Sequence, residues 1–221
     1  MNKKVLFLAS GNGGTIKFLH LAIQQLHLPI EITAVIADRA CGASTFAEKN
    51  SIPFQIVTYS RSSPQLLQEA LSNCEFDVAV TNFHKIIDEG TLAKFPGKFI
   101  NLHYSLLPAF GAMIGMKTLK AARQANAKFI GTSCHKVSPI VDAGELICQS
   151  VMPVNWQSDS ESELITITFK SACLVLLNAL LAPEASNSSI LLDSKQVQFN
   201  PGLSYPTEVF DDAFWSALSS I

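Results

Sequence analysis

The chain has 221 residues, 48% of them apolar and 15% charged, with a formal net charge of −2 and a pI near 6.2. That apolar content is enough to bury a core and excludes a disordered chain. With no basic stripe, the composition argues against a nucleic-acid partner, but it leaves room for a small anion held by backbone N–H groups.

The first half alternates short apolar runs with longer segments of mixed polarity. "KVLFLAS" (4–10) reads as a buried strand, followed by the turn "GNGG" and a helix in "TIKFLHLAIQQLH", whose apolar positions fall on one face. "ITAVIAD" (32–38) is a second strand, "ASTFAEKN" (43–50) a short helix, and "FQIVTY" (54–59) a third strand. "SPQLLQEALSN" (63–73) predicts a helix with Pro64 near its start, "DVAVTN" (77–82) a fourth strand, and "DEGTLAKF" (88–95) a short helix. "KFINLH" (98–103) is a fifth strand. Repeated strand–helix–strand units with near-continuous apolar strands predict a parallel sheet covered on both faces.

The second half changes character. "MKTLKAARQAN" (116–126) predicts a helix, and "KFIGTSCHKV" (128–137) and "ELICQSVMPV" (145–154) an antiparallel pair. "ESELITITFKSACLVLLNALLAP" (161–183) reads as a long helix with an acidic start, ending before Pro183. The tail from Asn200 onward has no determined structure on this reading. No repeat or linker divides the chain, so a single domain is expected. No stretch approaches a membrane span; "ACLVLLNALLA" (172–182) has about half the length and reads as a buried helix. The five cysteines are odd in number and form no CxxC pair, which predicts reduced thiols and a cytoplasmic location, with no zinc site.

Three segments could carry chemistry. In "SGNGGT" (10–15), glycines let the backbone turn sharply into a helix whose first N–H groups face an anion, although a plain strand-to-helix turn would read the same way. The turn lacks the full GxGxxG spacing, which favours a single phosphate over a dinucleotide. In "INLHYSLLP", Asn101 and His103 lie two apart at a strand end and so leave the same face, where α/β sheets bind ligands. In "SPIVDAGELI" (138–147), Asp142 sits in a loop before an apolar strand, and His135 is a polar residue within the strand preceding it. A turn aspartate and a core histidine would fit those two positions equally.

Together these segments resemble the glycinamide ribonucleotide formyltransferase family, within the wider group of enzymes that use 10-formyltetrahydrofolate. The resemblance runs from about residue 4 to 180 and rests on "SGNGG", "INLHYSLLP" and "GTSCHKVSPIVDAGELI", in order. It implies a formyltransferase-type, Rossmann-like α/β fold, with a mostly parallel sheet, an antiparallel C-terminal part and helices on both faces. Within one domain, residues 1–97 would form a phosphate-binding half, 98–183 a catalytic and folate-binding half, and 184–221 a tail. The implied reaction moves a formyl group from 10-formyltetrahydrofolate, as cosubstrate, to the amine of glycinamide ribonucleotide. Asn101, His103 and Asp142 would be catalytic, supported by Ser133 and His135. Gly11, Asn12, Gly13, Gly14 and Thr15 would bind the acceptor phosphate. Arg61, His84, Lys85, Ile86, Ile87, Val141 and Asp142 would bind the folate, with no metal. Partners would be small molecules, without nucleic acid or membrane, and the protein a monomer or homodimer.

The motif is shared with methionyl-tRNA formyltransferases and formyltetrahydrofolate deformylases, so it implies the chemistry more narrowly than the acceptor. The short length and the glycine turn favour the ribonucleotide branch. Alternatives are another amine acceptor such as an amino sugar, water as acceptor, or a non-catalytic paralogue that binds folate or a phosphorylated ligand. Five positions depart from the family pattern. Gly14 and Thr15 stand where Ser and Asn are usual, and Tyr104 where Pro follows the catalytic His. His84 takes the place of a long apolar residue. Cys173 aligns with a Glu that normally meets the acceptor amine.

Overall fold

A computed structural model describes residues 2–181 and 186–221; Pro183 lies outside them. The chain forms two compact units, Met1–Asn101 with Glu208–Ile221, and Leu102–Thr207.

In the first unit, β1 (Lys3–Ala9), β2 (Ile30–Ala37), β3 (Phe54–Ile56), β4 (Val78–Asn82) and β5 (Phe99–His103, which runs into the second unit) pair in parallel in the order β3-β2-β1-β4-β5. The helices between them are α1 (Gly14–Leu26), α2 (Gly42–Lys49), α3 (Gln65–Ser72) and α4 (Glu89–Lys94). Strand β1 is central and wholly buried from Val5 to Ala9. The chain leaves it toward β2 on one side, and β4 lies on the other. The crevice at a topological switch point therefore opens at the C-terminal ends of β1 and β4. Strand β3 is shorter than the expected 54–59 because its partner β2 stops at Ala37; the last bond runs from Val57 N–H to the Ala37 carbonyl.

The tail closes this unit. Helix α7 (Asp212–Ser220) packs on α1, and Phe210, Phe214 and Trp215 surround Phe18 with ring centroids 5.5–5.7 Å away. Asp211 caps α7 by accepting from Phe214 N–H at 2.9 Å.

The second unit holds α5 (Lys117–Gln124), β6 (Phe129–Lys136), β7 (Leu146–Pro153), α6 (Glu161–Leu180), β8 (Ser188–Leu192) and β9 (Lys195–Asn200). Its strands run antiparallel in the order β6-β7-β9-β8. The whole has the mostly parallel, mixed α/β architecture, with helices on both faces, that the sequence predicts. The hairpin of β8 and β9 was not anticipated, although "SSILLDSKQVQFN" alternates around a short polar turn. Helix α6 starts with a capping box between Ser160 and Glu163 and packs on β6 and β7. It corrects one expectation: at 20 residues it is long and apolar enough to cross a membrane, yet 67% of its most apolar stretch is buried within this unit, as suits a core helix.

Candidate active site

The glycine turn of the first unit is held on three sides. Ser10 N–H donates to the Asn82 carbonyl at 3.2 Å, and His84 N–H donates to Ser10 Oγ at 2.9 Å. The Asn82 amide donates to Thr15 Oγ1. On the α2 side, Ala43 N–H donates to the Gly11 carbonyl at 3.1 Å. Gly13 serves as the N-cap of α1 in a left-handed conformation (φ 75°), and a Cβ there would come within 2.9 Å of Ala43 Cα. That backbone requires glycine, whereas a Cβ at Gly11 would meet nothing within 4 Å. No side chain caps α1, so its first N–H groups carry the positive end of the helix dipole. Gly11, Asn12, Gly13, Gly14 and Thr15 are thus brought together in one backbone cradle, with the Thr15 hydroxyl turned to Asn82.

Asn101 and His103 both lie on β5 and, being two residues apart, on one side of it. The Asn101 amide nitrogen donates to Thr81, at 2.6 Å to its carbonyl and 2.9 Å to Oγ1. Thr81 in turn donates its hydroxyl to the Ile100 carbonyl.

In the second unit, the Asp142 carboxylate lies between two imidazoles: His103 Nδ1 is 3.4 Å from Oδ2 and His135 Nε2 is 3.5 Å from Oδ1. Each ring has a backbone carbonyl at its other nitrogen, Phe110 at 3.1 Å from His103 Nε2 and Lys136 at 2.8 Å from His135 Nδ1. A neutral imidazole has one N–H, so which nitrogen of each ring donates depends on the tautomer. His135 Nε2 is buried with no partner closer than this carboxylate. Burial of Asp142 opposes ionisation, but the His135 contact, the Ala112 N–H at 2.7 Å and the charge of His103 outweigh it, and its pKa is lowered.

Backbone shape makes this arrangement possible. Asp142 is left-handed (φ 54°), and so are Phe110 (φ 59°) and Ala112 (φ 60°), the residues that present the carbonyl to His103 and the N–H to Asp142. Non-glycine residues in that region are strained and persist only where their surroundings hold them. A Cβ at Gly144 would overlap the Lys136 carbonyl, which accounts for the Asp–x–Gly pattern. The register shifts between Cys134 and His135, so that His135 pairs with Leu146 and Ile147 of β7 is left without a partner in the ladder.

Ser133 is fully buried; its hydroxyl donates to the Ser105 carbonyl at 2.8 Å and accepts from Leu107 N–H and the Gln149 amide, so it braces the Ser–Leu–Leu–Pro loop. Ile140 and Val141 are exposed beside Asp142, and Met113 and Ile114 are exposed in the loop that holds Ala112. In the first unit, Ile86 is exposed and Ile87 buried, while Tyr59 hydroxyl donates to the Ile86 carbonyl at 2.9 Å. Arg61 is exposed close enough to act on the Tyr59 charge. Cys173 is buried in α6, its thiol pKa pushed up by that burial, and Tyr104 lies near it. Sequence reasoning missed Phe110, Ala112 and Gln149, which act through backbone groups or through a long-range contact that no motif marks. Among the described residues, no group of three His, Cys, Asp or Glu side chains could hold a metal ion.

The first unit is a parallel α/β sheet with a glycine turn at the head of α1, and the second holds a carboxylate faced by two histidines. The chain belongs to the formyl transferase family, whose model matches residues 3–179. It is 30% identical over 171 residues to a chloroplastic phosphoribosylglycinamide formyltransferase of Vigna unguiculata, covering 73% of this chain and 54% of that protein. It is 32% identical over 133 residues to a formyltetrahydrofolate deformylase of Escherichia coli, covering 58% and 46%. The chain therefore spans about half the length of these curated relatives. Among solved structures, a phosphoribosylglycinamide formyltransferase from Coxiella burnetii superposes with a TM-score of 0.74 at 29% identity, over 81% of this chain and 86% of that one.

Proposed function

We propose that this protein transfers the formyl group of 10-formyltetrahydrofolate to the amine of glycinamide ribonucleotide, a step of purine biosynthesis. The observation that carries the reading is Asp142 set between His103 and His135, with His103 in the Asn–x–His stretch of β5. When an amine attacks a formyl carbon, negative charge develops on the formyl oxygen, and preorganised N–H donors lower that barrier. His103 Nε2–H and the Asn101 amide are the donors of this reading. Each would exchange a present acceptor, the Phe110 carbonyl or Thr81, for the formyl oxygen. Asp142 faces His103 Nδ1 at 3.4 Å and is the group able to relay a proton from the attacking amine toward the leaving nitrogen.

The exposed apolar side chains of Met113, Ile114, Ile140 and Val141 suit the flat, apolar pterin of the cosubstrate. In the first unit, Ile86, Ile87, His84, Lys85 and Arg61 are the residues that the family resemblance assigns to the folate. The cradle at 11–15 suits a phosphate. Five unpaired thiols agree with a reducing compartment such as the cytoplasm.

One observation favours a second reading. Cys173 is buried and offers no carboxylate to an acceptor amine, and deformylases are among the relatives. Water would then accept the formyl group. Turnover of 10-formyltetrahydrofolate with and without glycinamide ribonucleotide separates the two. Formylated ribonucleotide that appears only with the amine supports the transferase; formate released at the same rate without it supports the hydrolase. Formation of neither product would leave a non-catalytic binder.

A further inference from the structure

Asp38 and Arg39, at the strand ends of the first unit, have no part in the reading above. The Asp38 carboxylate, directly after β2, is 3% exposed and clamps Arg39 through both oxygens, with Nε at 2.9 Å and Nη2 at 2.7 Å. Asp38 N–H donates to the Ala9 carbonyl, at the end of β1, at 3.2 Å, and Ser10 and Lys85 are near enough to act on the Asp38 charge. The Arg39 side chain remains 53% exposed. A two-point clamp fixes the guanidinium plane and leaves its other edge for a second anion. Counted together, Asp38, Arg39 and Lys85 carry a net charge of +1.

This cluster is joined to the glycine turn at several points. Ser10 begins the turn and accepts from His84 N–H, the residue before Lys85. Three residues after Arg39, Gly42 abuts Asn12, where a Cβ would come within 2.8 Å of backbone atoms, and Ala43 N–H donates to Gly11. Backbone donors alone bind any small anion weakly. A phosphate monoester carries close to two negative charges at neutral pH, and a fixed guanidinium would add charge-assisted bonds and selectivity for it.

We propose that Arg39, held by Asp38, supplies the positive charge that selects a phosphate monoester on the acceptor at the 11–15 turn, with Lys85 as a second, looser cation. The inference rests on the proposed acceptor-phosphate role of that turn. The probes are ribose 5-phosphate and unphosphorylated ribose in titration calorimetry, and glycinamide ribonucleotide in turnover, with wild type, Arg39→Gln, Arg39→Lys and Asp38→Asn compared at matched melting temperature. Arg39→Gln should weaken ribose 5-phosphate binding about tenfold and raise the acceptor KM by a similar factor without a matching fall in kcat, leaving the folate KM in place. Arg39→Lys should recover part of the loss, since charge returns without the fork, and Asp38→Asn should fall between wild type and Arg39→Gln. Equal binding by wild type and Arg39→Gln would overturn the role of Arg39 alone. A rise in the folate KM instead would assign the cluster to the folate and overturn it too. If wild type binds ribose 5-phosphate no better than ribose, the turn is not a phosphate site, and the proposed acceptor fails with it.

Discussion

The candidate residues of the two units are arranged in opposite ways. In the first unit, the glycine turn offers backbone N–H groups, and its shape depends on where a Cβ cannot stand. In the second, the buried His103 and His135 and the largely buried Asp142 are side chains whose protons and charges matter, brought together from a loop and two strands. A backbone cradle should tolerate most changes of side-chain chemistry but not of backbone shape. The buried carboxylate with its histidines should show the reverse, and it should respond to pH.

The largest expected effect breaks the second half. His103→Ala, with His103→Gln to keep volume, should lower turnover at least about a hundredfold, since one oxyanion donor is typically worth that much. Circular dichroism should show the fold retained. Wild-type turnover in either variant would remove His103 from the mechanism. Next comes the first half: Gly13→Val forces a branched side chain into a left-handed position against Ala43. It should lower stability by roughly 1–3 kcal/mol and weaken binding of a phosphorylated acceptor about tenfold, while folate affinity holds. A melting curve and an acceptor KM like those of wild type would show that the turn takes no part.

The pH response sharpens the contrast further. The ordinary value for Asp142 is 3.8, and its folded value lies below that. A depressed carboxylate contributes stability that is fully present above the unfolded value and is lost as pH falls through the folded one. Urea unfolding between about pH 3 and pH 7 should therefore show a loss of stability on the acid side that Asp142→Asn lacks. His135→Gln removes a contact that holds the carboxyl down, so the folded value should rise toward 3.8 and the contribution should shrink. An acid limb unchanged in both variants would mean that the ion pairs do not form in solution.

What could be read in advance follows the same division. The near-continuous apolar strands, the glycine turn and the Asn–x–His strand end are local patterns, and the structure has them within a residue or two, save β3, which ends three residues early. The hairpin Ser188–Asn200 and helix α7 were missed because their apolar residues are few and find partners far away, Phe18 above all. The turn residues could be grouped from sequence because they are contiguous. The approach of His135 to Asp142 depends on a bulge and a left-handed Asp, neither of which any composition signals. Asp38 and Arg39 escaped for a different reason: their partners Ser10 and Lys85 are distant in the chain, and only the strand order makes them neighbours.

The smallest effect concerns Cys173. Its position resembles one from which a family acid meets the acceptor amine, yet the thiol is 0% exposed among apolar residues of α6. Burial disfavours its charged form, so it is neutral and can offer the amine nothing ionic. Cys173→Ala should then act only through packing: about 1 kcal/mol of stability lost from the small cavity, read as a fall in the urea midpoint, with the acceptor KM unmoved. A several-fold change in that KM would put the thiol in contact with the acceptor after all. With the KM unmoved, selectivity would have to be sought in groups that reach the surface, and the clamped guanidinium of Arg39 is the first of these to test.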